Sequence, residues 1–204
     1  MCEPRDHQHF CLAPTVSNRE LLDEDGTSDR RFRQFLYDFS VLGWHLEFAR
    51  EYLASRVGLS APQYNCAMVI AHYQGSTGVS VSHIAQHLHV STAFITSEGK
   101  KLERAGLVEK LPNPKDGRGI LLRLTPLGET KVQEVAPHRL LVNDHLFLGL
   151  SRTDFHHLAK TVAKLIEDFS ATSRMLKYMQ GETTRQTSKH GVEPHFAHRN
   201  DAPS

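Results

Sequence analysis

Only His89 and Val90 separate two segments that each open with a helix cap: Ser80 stands before Val81 to Leu88, and Ser91 before a longer segment that runs to Ala105. A serine at such a position accepts a hydrogen bond from a backbone N–H of the first helical turn, so both read as helix starts. Two helices joined this tightly must cross steeply. Ile84 and the small Ala85 allow close approach between them, and Leu88, Val90, Ile95 and Leu102 are expected on the inner faces.

The flanking chain adds to this pair on both sides. From Phe32, apolar residues recur at Phe35, Phe39, Leu42, Leu46, Ala49, Leu53 and Val57, the spacing of one helix stripe, and Gly58 ends it. Ser60, Pro62 and Gln63 then form an N-terminal cap signature for a helix to about Gln74, closed by Gly75 and Gly78. After Ala105, Leu107–Leu111 and Ile120–Leu124 read as two short strands around a Pro- and Gly-rich turn, a hairpin with a basic tip. Pro126 to Leu150 and Thr153 to Tyr178 read as two further helices, with Pro137 expected to kink or break the first. The predicted fold class is mainly α with a small β-hairpin wing. It is a winged helix-turn-helix with long N- and C-terminal helices suited to dimerisation, in which the second helix of the pair can enter a major groove.

Three regions follow. Residues 1–29 hold seven acids against Arg5 and Arg19 and are expected to form a flexible acidic arm. Residues 30–178 form the domain, with a reading head over about 60–125 and dimerisation helices over about 30–57 and 126–178. Residues 179–204 are polar with Gly181, Gly191, Pro194 and Pro203, and are expected to be disordered. Between Val81 and Thr125 seven Lys or Arg face four acids, so the positive charge lies on the proposed reader.

Within the reader, Ser91, Thr92, Ala93, Thr96, Ser97 and Lys100 are short or basic side chains suited to base edges and phosphates. The plainer reading is a solvated helix face. Around them the chain resembles the MarR family of bacterial regulators, through Val90-Ser-Thr-Ala-Phe-Ile-Thr96, Leu102-Glu-Arg-Ala-Gly-Leu-Val108, Asp116-Gly-Arg118 and Leu124-Thr-Pro-Leu-Gly128. The resemblance covers roughly residues 31–178 and implies a homodimeric, double-stranded-DNA-binding transcriptional regulator, a ligand-responsive repressor on a pseudo-palindromic operator. It further implies that Arg118 enters the minor groove with Asp116 orienting its guanidinium and Lys115 beside them. A narrow groove concentrates negative potential that a planar guanidinium fits. The chain departs from the family where Ser97 replaces a common Arg and where Glu98 and Gly99 follow. There an acid is expected to meet phosphate repulsion, and a mid-helix glycine to cost about 1 kcal/mol.

The resemblance also implies a small aromatic acid or phenol as effector, bound between the dimer helices and the head. Trp44, His45, Phe48, Tyr52 and Tyr64 are the candidate pocket residues, with Arg50 or Arg139 as a carboxylate partner, though each is equally readable as core or surface. His83 and His87 lie one helical turn apart, as do His138 and His145 over two, but neither pair has a Cys or carboxylate at firm ligand spacing, so no metal and no cofactor is expected. Both pairs read as solvated, and His83, His87 and His89 equally as DNA phosphate contacts.

Three cysteines, Cys2, Cys11 and Cys66, lack a C-x-x-C spacing, and Cys66 reads as a small buried hydrophobe. No apolar run is long enough to span a membrane and no secretory leader is evident, which points to the cytoplasm. No nucleophile elbow, phosphate loop or zinc-protease motif is present, so the chain is not expected to be an enzyme. The rival readings are a winged helix used for protein contacts without specific DNA binding, and a metal- or redox-responsive regulator.

Overall fold

A computed structural model describes residues 12–114 and 119–189, with the side chains of 181–189 excepted. The local signals of the chain become elements in order. Helix α1 (Arg30–Arg56) ends before Gly58, which takes φ +72°. Helix α2 (Ala61–Tyr73) opens with a complete capping box, Ser60 Oγ accepting from the Gln63 N–H and the Gln63 side chain accepting from the Ser60 N–H. A two-residue strand β1 (Val79–Ser80) leads into α3 (Val81–His87), and α4 (Thr92–Arg104) follows. Ser80 and Ser91 cap these two helices through the N–H groups of His83 and Phe94.

The wing is built from β2 (Val108–Pro112) and β3 (Ile120–Leu124), paired antiparallel with Val108 opposite Leu124 and Pro112 opposite Ile120. β3 is the central strand of three, because β1 pairs with it on the other edge, Val79 opposite Leu122. β1 went unforeseen: two residues are too few to show an alternating pattern. Gln74 Oε1 accepts from the Leu124 N–H at 2.7 Å, and the Arg123 guanidinium reaches the Ser76 carbonyl, so the end of α2 and the wing are bound together.

Cys66, Ile70, Ile84, Ala85, Ile95, Leu102, Val108 and Leu122 form the sealed core of the head. Val90 is not part of it. The turn is made with His89 at φ +54°, a conformation histidine tolerates better than most residues, and Val90 emerges 38% exposed. A second cluster joins α1 to helix α5 (Pro126–Leu146) through Leu53, Ala54, Val57, Tyr64 and Val135. At the start of α5, a Cβ on Gly128 would collide with the Leu107 carbonyl oxygen, so only glycine lets this helix seat there. Pro137 does not break α5, which is continuous across it. Val135 and Val142 pack against the α1 and α2 cluster on either side of the proline and hold the helix in place.

Helix α6 (Arg152–Lys189) belongs to a second unit that begins at Phe147. It passes Met179 as helix, where disorder was expected. Prolonging an existing helix needs no new nucleus, and no proline intervenes before Pro194. Residues 190–204 lie outside the described residues, as do 1–11 with Cys2 and Cys11.

The described part of the acidic segment is not featureless. It contains a single 3-10 turn, Arg19–Leu21, and Asp29 Oδ2 accepts from both the N–H and the hydroxyl of Thr15, at 2.5 and 2.6 Å. Arg33 pairs with the same carboxylate, which is fully buried. These bonds hold the Asp29 carboxyl below its ordinary pKa, Thr15 being the largest cause. An acid counted as arm charge is thus a fastener at the start of α1.

Candidate nucleic-acid interface

Helix α4 divides cleanly. Thr92, Ala93, Thr96, Ser97 and Lys100 are exposed with the capping Ser91, while Ile95, Glu98, Gly99 and Leu102 are buried. Thr96 Oγ1 donates to the Thr92 carbonyl at 2.8 Å, which spends its proton on the helix and leaves its oxygen as an acceptor toward solvent. These residues offer hydroxyls, a methyl and an ammonium, groups that major-groove base edges and phosphates can pair with, and Phe94, Lys101, Glu103 and Arg104 are exposed on the same helix.

Glu98 corrects the expectation of an acid facing phosphate. It is 5% exposed and lies on the inner side of α4, where Lys101 Nζ pairs with Oε1 at 2.7 Å and Oε2 has no hydrogen-bond partner. Gly99 has a packing reason. A Cβ there would come within 3.2 Å of the Leu122 Cδ1 atom, so glycine lets the helix approach the wing strand. Neither residue weakens the outer face.

Charge is more evenly balanced on the head than the residue count implies. Lys101 is taken by Glu98, Lys110 by Glu103, and Arg123 by Glu109 at 2.8 Å. Lys100 and Arg104 hold no ion pair among the described residues. Lys115, Asp116 and Arg118 lie outside the described residues.

The five candidate pocket residues separate. His45, Phe48 and Tyr52 from α1 line an open groove of about 410 Å³ with Leu141, Val142, His145 and Leu146 from α5. Trp44 projects to solvent, 72% exposed, and is not among the lining residues. Tyr64 lies in the core, where burial raises its pKa against the opposing pull of Arg139. Arg139 donates to Met68 Sδ at 2.9 Å, and Arg50 pairs with Glu47, so neither lines the groove. Its polar side chains are Tyr52, His45 and His145, whose Nδ1 lies 2.8 Å from the Leu141 carbonyl oxygen.

Cys66 is fully buried. Burial, then the nearby Glu98, pushes its thiol up to about 12, the opposite of a reactive cysteine. His83 and His87 both pack on Tyr73 at the end of α2, with ring centroids 4.7 and 5.0 Å away. Among the described residues no three His, Cys, Asp or Glu side chains converge as a metal site would require. No helix among them is long and apolar enough to cross a membrane.

Two packed helices joined by a tight turn at His89, followed by an antiparallel wing, define a winged helix-turn-helix. Residues 57–119, the winged-helix segment, match the model of the MarR family. The HTH-type transcriptional repressor MdtR of Bacillus subtilis is 29% identical over 99 residues, 48% of this chain and 64% of that protein, so the match spans less than two thirds of the relative's length. Among solved structures, the MarR family transcriptional regulator AbsC of Streptomyces coelicolor superposes with a TM-score of 0.60 at 22% identity, over 74% of this chain and 97% of that one. CouR of Rhodococcus jostii, solved bound to p-coumaroyl-CoA, gives 0.59 at 19% identity, over 64% and 90%. These likenesses agree in fold.

Proposed function

We propose that this chain is a transcriptional regulator that binds double-stranded DNA as a homodimer. The observation that carries the reading is the division of α4 into a sealed inner face and an outer face that presents Ser91, Thr92, Ala93, Thr96, Ser97 and Lys100, with Phe94, Lys101, Glu103 and Arg104 also exposed. Such a face enters the major groove while the wing, with Lys115, Asp116 and Arg118, reaches the neighbouring minor groove. Two heads related by a two-fold axis read a pseudo-palindromic operator, with half-sites about one helical turn apart.

The second copy is called for by apolar surface. Phe35, Leu42, Trp44 and Phe48 on α1 are exposed, as are Phe155, Leu158, Ile166 and Phe169 on α6, more than a monomeric surface usually carries. The effector is a small aromatic acid or phenol in the groove of His45, Phe48 and Tyr52, whose aromatic and aliphatic walls suit a planar ring and whose imidazoles suit its polar end. By favouring one spacing of the two heads it lowers operator affinity, so the protein acts in the cytoplasm as a ligand-responsive repressor.

The test is selection of bound duplexes from a random pool by the purified chain, with sedimentation to give its mass. A consensus of two inverted half-sites and a dimer mass are expected. Recovery of no enriched duplex would overturn the DNA reading in favour of a protein-contact module, and a monomer mass at micromolar concentration would overturn the dimer. A panel of aromatic acids and phenols then titrates the operator complex; if none releases it, the effector assignment fails.

A further inference from the structure

From Val57 to Ser97 the chain contains no Asp, Glu, Lys or Arg. This stretch includes the whole of α2, β1 and α3, the turn, and the first half of the recognition helix. Its only side chains that can carry positive charge are His72, His83, His87 and His89. In a helix-turn-helix the first helix crosses the DNA backbone. Here that helix is α3, and phosphate contacts on DNA are ordinarily made by permanent cations.

His83 and His87 stand on the exposed side of α3, away from the buried Ile84 and Ala85. Tyr73 holds both: its ring contacts each imidazole, and its hydroxyl lies 3.3 Å from His87 Nδ1, which leaves His87 Nε2 for another partner. Among the described residues the groups around α3 offer no rival anion. On α2 the titratable neighbours are Tyr73 and His72, whose rings meet at 4.5 Å, and β1 has none. On β3, Arg123 is turned to Glu109 and Ser76. On α4, Glu98 is buried against Lys101, Glu103 pairs with Lys110, and Lys100 and Arg104 are cations. No carboxylate among the described residues pairs with His83 or His87.

We propose that His83 and His87 are phosphate-contacting residues whose protonation is taken up on DNA binding, so that this regulator grips DNA more tightly as pH falls. The proposal rests on the DNA-binding reading above and names residues and a regulation for it. Imidazole as a class changes charge between about pH 5 and 8. A phosphate that meets the protonated form must then draw a proton onto the protein, by linkage. The effect is independent of sequence, because phosphates carry no base identity.

The full chain is titrated with a duplex selected from a random pool and with a scrambled duplex of equal length, at about pH 6 and pH 8, in fixed salt with a chelator present. Wild type should bind both duplexes about tenfold or more tightly at pH 6, with a salt slope steeper by about two, one for each imidazole. His83→Gln/His87→Gln should lose most of that gain while matching wild type at pH 8. His83→Lys/His87→Lys should bind at pH 8 as wild type does at pH 6, a gain that misfolding cannot imitate. Tyr73→Phe, which keeps the ring, should retain the pH dependence. If the glutamine variant keeps the wild-type pH gain and salt slope, the inference is overturned while DNA binding stands. If wild type binds neither duplex at either pH, the functional reading falls and this one with it.

Discussion

The reading head and helix α1 carry apolar residues at the same helical spacing, and the fold treats them oppositely. In the head Ile70, Ile84, Ile95 and Leu102 are fully sealed by α2, α3, α4 and the wing strand. On α1 only Leu53 and Ala54, near its end, are buried, while Phe35, Leu42, Trp44 and Phe48 face outward. The difference is one of partners. The head closes its core with residues contributed by six elements, whereas α1 joins a buried cluster only near its end, through Leu53 and Ala54. Apolar periodicity therefore has two meanings here, a core and an interface, and only neighbours in space tell them apart.

Truncation breaks that comparison most directly. Leu102→Ala should destabilise the chain by about 2–5 kcal/mol, because a sealed site leaves a cavity behind. Phe48→Ala, larger in volume but 71% exposed, should cost under about 1 kcal/mol in the same denaturant titration. Equal costs would mean that α1 is buried as the head is.

The wing sharpens the comparison from the surface side. Arg118→Ala should weaken operator binding by about 1–3 kcal/mol and leave the unfolding midpoint unchanged, with Asp116→Ala costing less because it removes orientation and not charge. Operator affinity equal to wild type across a salt series would show that the wing does not touch DNA.

Within α4 the two faces can be set against each other. Glu98→Leu should stabilise the fold by about 1 kcal/mol, since it removes a buried carboxylate oxygen without a partner and frees the half-exposed Lys101 to water. It should leave DNA affinity alone. Ser97→Arg should do the reverse, raising affinity and adding about one phosphate contact to the salt slope without changing the melting curve. A gain in affinity from Glu98→Leu would place that side chain on the outer face.

The smallest effect concerns the start of α1. The Asp29 carboxyl is held below its ordinary pKa by Thr15 and Arg33, so its contribution to stability is fully present above the usual carboxylate value of about 3.9 and disappears as pH falls through the lowered one. Asp29→Asn should flatten the acid limb of the stability curve in that window and change little near pH 7 beyond a constant offset. An unchanged acid limb would show that the fastener does not form in solution.

Helix starts and stops were legible in the chain because their bonds are local. Ser60, Ser80 and Ser91 reach N–H groups three residues on, and Gly58 supplies a left-handed turn from its own backbone. The exposed face of α4 was legible for the same reason: within one helix, spacing sets which side chains share a face. It was not legible that Glu98 would be on the inner side with Cys66, since a charged residue is assigned outward until its burial and its Lys101 partner are seen. The pocket set divided for a like reason. Aromatic type does not distinguish Tyr64, enclosed by α1 and α5, from Trp44, which meets solvent.

By itself the sequence determined the order of helices and wing, the caps, the steep turn at His89 and the outer face of α4, all of which depend on contacts a few residues apart. The tertiary structure alone decided that Val79 joins the wing sheet, that Asp29 is a fastener for Thr15, that three of the head's cations are spent on its own acids, and that Tyr73 gathers His83 and His87. Each of these brings together groups distant in sequence. Loop closure and burial, which no local pattern encodes, set those meetings.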